Sequence, residues 1–236
     1  MGKIWAVCSG SGGTGKSMLA LSLAAGAAKQ GKRTILLDAS GISRSCDMVL
    51  GMESIIVLDM MDVVRDQASI ESAVYPVRRY DGLGFACASL YDHVPVTEFS
   101  SVILALHSLC DVLVIDLPTG QTDLGRGMLR YGDELLIVLR PDQISVRAAE
   151  RLMMHSEGLD AGVSIVLNRV AKGRIKKGTQ LTRDTVQMLL DRPVLAEIPE
   201  DSSITVCERQ GKAAIECDGP AWTSLKALTD ELLGGV

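Results

Sequence analysis

The sequence predicts an α/β chain: a doubly wound, mostly parallel sheet flanked by helices. Three observations carry this expectation. Short apolar runs alternate with helical patterns along the chain. Those runs are nearly continuous in hydrophobicity, as parallel strands covered on both faces require; strands with one wet face would alternate. The first run opens into a glycine-rich turn that leads directly into a helical pattern, the start of a right-handed crossover.

Taken in order, the predicted strands are IWAVCS (4–9), RTILLD (33–38), GFACA (84–88), DVLVID (111–116), ELLIVLR (134–140), VSIVLN (163–168) and PVLAEIP (193–199). Helical patterns cover 16–30, 97–109, 143–157, 180–190 and 221–233, and residues 47–75 read as two short helices or as a helix and a loop. No linker, repeat or low-complexity stretch interrupts the alternation, so one domain spanning residues 1–236 is expected.

Composition narrows the function classes. The chain is 47% hydrophobic but only 3% aromatic, with mean hydropathy +0.23, so its core must be built from Leu, Val, Ile, Met and Ala. A net charge of −5 gives no support for broad nucleic-acid binding, which needs a basic surface to displace phosphate counterions. Six cysteines (Cys8, Cys46, Cys87, Cys110, Cys207 and Cys217) show no CxxC or Cys/His ligand spacing and read as buried free thiols. No signal peptide is recognisable. The most apolar helical stretch, MLALSLAAGAA (18–28), is shorter than the ~20 residues that span a bilayer. A cytoplasmic protein is expected.

The stretch GSGGTGKS (10–17) satisfies the phosphate-loop pattern G-x-x-x-x-G-K-[ST] in its required context, between a strand and a helix. Backbone N–H groups and the helix N-terminus then converge on a phosphate. Gly10, Ser11, Gly12, Gly13, Thr14, Gly15, Lys16, Ser17 and Met18 form the candidate nucleotide-binding segment. Lys16 would neutralise the β/γ-phosphates of ATP (or ADP), and the Ser17 hydroxyl would ligate Mg²⁺. Two acids end apolar strands beside the loop, Asp116 in VLVID and Asp38 in TILLD. Open α/β sheets bind ligands at the carboxyl ends of strands, so both are assigned to the metal and phosphate site.

These residues carry a family resemblance. SGSGGTGKS, GKRTILLDASGISRSCDMVLGME, VLVIDLPTG, VLNR and IPEDSSITVCERQGKAAI, in this order, resemble the MinD/ParA family of P-loop ATPases, MinD more than the plasmid-partition branch. The likeness runs from residue 3 to about residue 233. It implies an ATP-dependent sandwich homodimer that positions division, partition, pilus or secretion machinery through a protein partner. By the same resemblance Asn168 would hydrogen-bond adenine, with Arg169, Pro199, Glu200 and Asp201 flanking the base. The segment LPTGQTD (117–123) would sense the γ-phosphate.

The sequence departs from that family at two chemical positions. Its deviant Walker A loop carries a lysine where this chain has Ser11, and a catalytic aspartate two residues after Asp38 where this chain has Ser40. Serine brings no charge to a partner's phosphates and is a poor base at neutral pH. ATP binding with slow or absent hydrolysis is therefore expected. Gln121 and Ser40 are the candidates for positioning water, and Asp47 is a remote acid that could substitute. An active ATPase with such a rescue, and a P-loop kinase-like enzyme, are the alternatives. The tail WTSLKALTDELLGGV lacks the basic face of a membrane-surface helix. The run 168–183 holds Arg169, Lys172, Arg174, Lys176, Lys177 and Arg183, read as a solvated loop or as a contact for a partner, DNA or acidic lipid.

Overall fold

In the computed structural model, which describes residues 2–41, 45–88, 96–119, 123–154 and 161–234, every predicted apolar run is a strand. They are β1 (Lys3–Cys8), β2 (Thr34–Asp38), β4 (Leu83–Cys87), β5 (Val112–Asp116), β6 (Glu134–Leu139), β7 (Gly162–Val170) and β8 (Val194–Pro199). An additional two-residue strand, β3 (Tyr75–Pro76), runs antiparallel to β4 at one edge. Proline cannot donate to a ladder, so Pro76 is confined to an edge position, and two residues are too few to produce a periodicity. The strand order is β3-β4-β2-β5-β1-β6-β7-β8, with all other pairings parallel.

The helices are α1 (Lys16–Lys29), α2 (Cys46–Leu50), α3 (Met60–Val64), α4 (Val96–Ser108), α5 (Asp123–Leu129), α6 (Gln143–Met153), α7 (Lys172–Lys176), α8 (Arg183–Leu190), α9 (Ser203–Arg209) and α10 (Pro220–Leu233). Helix α6 starts where predicted because the Asp142 side chain accepts from Ser145 N. Positions 155–157 of the predicted helix lie outside the described residues. Helix α8 begins three residues later than predicted, where Thr182 caps it by accepting from Thr185 N. The basic run is not all loop: Lys172–Lys176 is helical, and none of its residues is buried.

Period-two alternation along the strands divides the core between the two faces of the sheet. Trp5, Val7, Leu36, Val114, Leu136 and Val166 face α1 and α10, whereas Ile4, Ala6, Leu37, Ile115, Ile137 and Ile165 face α4, α6 and α8. Helix α1 is buried nearly all round, from Leu19 to Ala28, because the sheet covers one side and α10 the other. Gly26 permits this crossing, since a Cβ there would lie 2.6 Å from Ile215 Cδ1 and 2.9 Å from Thr229 Oγ1. Helix α10 buries Ala221, Leu225, Leu228, Thr229 and Leu232 as a packed terminal helix. Among the described residues no helix is long and apolar enough to cross a membrane. All six cysteines are free and buried.

Candidate functional site

β1 and α1 are joined by the glycine-rich loop at the carboxyl edge of the sheet, beside the point where the chain order turns from β5 to β6 across β1. Two glycines are required by close contacts. Gly15 has φ +91°, and a Cβ on it would fall 2.1 Å from Asn168 Nδ2. A Cβ on Gly10 would fall 2.2 Å from the Ala148 carbonyl oxygen. Gly12 and Gly13 face open space: a Cβ on either meets nothing within 4 Å, although Gly13 is also needed for its φ of +71°. The hydroxyls of Ser11 and Thr14 are buried without a hydrogen-bond partner. Orphaned buried hydroxyls are uncommon, and a pair of them in a loop with an open face marks a place for an external acceptor.

Behind the loop, Lys16 Nζ lies 2.5 Å from Asp116 Oδ1; both residues are buried, at 5% and 0% exposure. The Ser17 side chain also favours the ionised Asp116 carboxylate. Burial pushes the Asp116 carboxyl up to about 6, against the downward pull of Lys16 and with a further upward push from Asp38. β2 and β5 pair in parallel with Asp38 opposite Asp116, so the strand ladder itself sets the two carboxylates side by side. Asp38 is fully buried. Its Oδ1 accepts from Ser40 N at 3.1 Å and Ser40 Oγ at 2.5 Å, and its Oδ2 accepts from Ser45 N at 3.4 Å and Cys46 N at 3.2 Å. Asp38 thus ties down the loop that leads into α2. Ser40 turns its hydroxyl back to this carboxylate.

Cys46 is a site residue that sequence reasoning missed. Its Sγ lies 3.9 Å from Asp116 Oδ2 and 3.9 Å from the Ser17 carbonyl oxygen. The signal was hidden because a single cysteine in a mixed segment reads as core; only the packing of α2 against α1 brings it to the carboxylates. Ser17, Asp116 and Asp38 offer the oxygen donors that suit Mg²⁺. Lys16 is the only cationic side chain paired with either carboxylate among the described residues, so the buried group carries surplus negative charge that a cation would balance.

On the other side of the loop, Asn168 ends the buried part of β7. Its Nδ2 donates to the Thr14 carbonyl at 2.7 Å and its Oδ1 accepts from Arg169 N at 2.9 Å. The amide braces the phosphate loop from behind. Arg169, at φ +58°, and Glu200 line a cavity of about 330 Å³ with Arg140, Asp142, Arg174 and Gln180. Pro199 ends β8 next to it. Asp201 is engaged elsewhere: its carboxylate accepts from Ser203 N, Ser203 Oγ and Ala221 N, fixing the starts of α9 and α10. Burial raises the Asp201 carboxyl, but those hydrogen bonds outweigh it and leave the group below its ordinary value.

Met18 lies on α1, partly buried, with its Cε 3.6 Å from a Cβ placed on Gly15. Asp47 is buried and accepts from its neighbour Met48 N. Gln121 lies outside the described residues. A cavity of about 730 Å³ opens at the opposite edge of the sheet, among Lys3, Lys32, Arg33, Leu104 and His107. It contains none of the predicted site residues.

Comparison with known proteins follows the same lines. The family model described as the CobQ/CobB/MinD/ParA nucleotide binding domain matches residues 5–214. Among curated relatives, septum site-determining protein MinD of a Synechocystis strain is 28% identical over 219 residues, covering 91% of this chain and 82% of the relative. MinD of Helicobacter pylori is 26% identical over 239 residues, covering 97% and 89%. Among solved structures, the Aquifex aeolicus MinC:MinD complex superposes with a TM-score of 0.92 at 24% identity, covering 99% of this chain and 96% of that one. Pyrococcus horikoshii MinD complexed with Mg-ADP gives 0.87 at 22%, covering 100% and 98%.

Proposed function

The chain belongs to the family of CobQ/CobB/MinD/ParA nucleotide-binding domains, and on that premise we propose that it binds ATP with Mg²⁺ as the control step of a dimeric positioning or scaffold factor, and hydrolyses it slowly or not at all. The observation that carries the reading is the loop itself: two orphaned buried hydroxyls, Ser11 and Thr14, on a glycine cradle in front of the buried Lys16–Asp116 pair. An anionic phosphate supplies the acceptor those hydroxyls lack, and the α1 N-terminus favours its charge.

Binding and catalysis separate in this site. Lys16 would move from Asp116 toward the β/γ-phosphates, Ser17 and Asp116 would hold Mg²⁺, and Asp38 would complete the cation's surroundings while anchoring the loop after β2. Mg²⁺ supplies neutralisation of phosphate charge when bound. Arg169 and Glu200, with Pro199 beside them, would border the base. Asn168, whose amide keeps a second N–H beyond its bond to the Thr14 carbonyl, would hydrogen-bond adenine. Ser11 brings no positive charge to a second copy's phosphates, and Ser40 is committed to Asp38 at 2.5 Å and so is not free to direct water. Each such loss typically costs ~10²-fold or more in rate.

The relatives named MinD are septum-site determinants, and one solved relative is a complex with MinC. A protein partner of a division, pilus or secretion apparatus is accordingly proposed here too. Asp230, bonded to Lys226 and Gln30, supports a packed α10. The test pairs size-exclusion chromatography with and without Mg²⁺-ATP with a phosphate-release assay. Expected are a shift to dimer with ATP and near-background release, and a rise in release in the Ser11→Lys/Ser40→Asp double variant. A monomer under both conditions overturns the dimer, and wild-type turnover matching that of active relatives overturns the slow-hydrolysis reading.

A further inference from the structure

Asp38, Cys46 and Asp116 present one donor atom each within 4.8 Å of one another, and all three residues are buried to 1% exposure or less. The oxygens of Asp116 divide their roles: Oδ1 faces Lys16 at 2.5 Å, whereas Oδ2 faces Cys46 Sγ at 3.9 Å. For an ion held at ~2.0 Å by a carboxylate and ~2.3 Å by sulfur, a tetrahedral angle separates those donors by roughly 3.5 Å. A shift of a few tenths of an ångström therefore converts the thiol–carboxylate contact into joint ligation. Among the described residues, Asp38 Oδ2 accepts the two longer backbone bonds, at 3.2 and 3.4 Å.

We propose that these three residues form a thiolate-containing site for a thiophilic divalent cation such as Zn²⁺, occupied when nucleotide is absent. On binding, the Cys46 S–H bond breaks, its proton leaves to solvent, and the sulfur donates an electron pair to the metal. Water fills the fourth position. Donor softness decides which cation belongs to which state. Soft sulfur favours zinc over magnesium, which takes oxygen donors. The site borrows Asp38 and Asp116 from the proposed nucleotide site, yet its chemistry does not depend on that reading.

The probe is cobalt(II) alone, titrated into full-length, metal-free protein without nucleotide and followed by absorbance. Expected are one equivalent bound, intense tetrahedral visible bands, a near-ultraviolet sulfur-to-cobalt charge-transfer band, and displacement of all of these by Zn²⁺. Cys46→Ser should abolish the charge-transfer band and weaken Zn²⁺ by at least the ~10- to 100-fold that even an outer-shell change costs. Cys217→Ser, remote from the carboxylates, should leave both intact. Weak absorbance of the all-oxygen octahedral kind, or a sulfur band that survives Cys46→Ser, overturns the proposal. Circular dichroism of Cys46→Ser guards against a folding defect, and Asp38→Asn should reproduce the loss of affinity. Mg²⁺-ATP binding measured in parallel keeps the two readings apart: its absence beside an intact cobalt band defeats the nucleotide reading and leaves the metal site standing.

Discussion

Replacing Gly15 by alanine tests how the phosphate loop is held. The glycine has φ +91°, and the new methyl would sit 2.1 Å from Asn168 Nδ2, the atom that donates to the Thr14 carbonyl at 2.7 Å. Two costs arise. The left-handed backbone costs an L-residue about 1–2 kcal/mol. Expelling the amide leaves a buried carbonyl unpaired, at about 1–3 kcal/mol. Together they come to about 3 kcal/mol, or a fall in Tm of roughly 6–12 °C in a chain of this size. Asn168→Ala alone should cost only the hydrogen bond. In the Asn168→Ala background the methyl meets no amide, so Gly15→Ala should then cost only its backbone share. Urea denaturation of the four proteins closes a double-mutant cycle, and a coupling of about 1 kcal/mol or more is expected. Additivity within ~0.5 kcal/mol, or a neutral Gly15→Ala, would refute the proposed brace.

Three further outcomes are expected. Lys16→Ala should raise the Kd for Mg²⁺-ATP about 100-fold by calorimetry, the equivalent of ~3 kcal/mol of charge-assisted bonding; a change below tenfold would remove Lys16 from the phosphate site. Asp116 is raised to about 6 from 3.8, so its contribution to stability is complete below about pH 4 and is lost as pH rises through 6, by about 3 kcal/mol. Measured without nucleotide or metal, Asp116→Asn should therefore improve relative to wild type as pH rises from 4 to 7, and a flat difference contradicts the buried, raised carboxyl. Tyr80→Phe should cost about 1–3 kcal/mol in chemical denaturation, because the hydroxyl accepts from Ala213 N at 2.8 Å and donates to Glu216, with ATP affinity unchanged.

Much of the architecture was legible because parallel strands buried on both faces leave an unbroken apolar signature. That is why DVLVID and ELLIVLR locate β5 and β6 to within one residue. What escaped lacks such a signature. β3 is two residues long, α5 follows a segment that reads as a turn, and α9 carries the β-branched run ITV, which opposes helix propensity until packing decides. The site divides similarly. The phosphate loop and the strand-end acids follow from local pattern, since a strand terminus fixes where a side chain emerges. Cys46 beside Asp116, Asn168 beneath Thr14 and Asp201 at the start of α10 are long-range contacts, and no spacing rule reports them.

The pairing of Asp38 with Asp116 on one rung of the β2–β5 ladder has a consequence for how this chain can vary. Inserting or deleting one residue in either strand would slide its acid by about 3.3 Å and turn it to the other face of the sheet. The separation of the two carboxylates is therefore quantised: it can be kept or lost, but not adjusted by degrees. Gradual change is left to the segments beyond the strand ends. Ser11, Ser40 and Cys46 all lie there, so the chemistry of the pocket can be rewritten while the pair of acids stays in step.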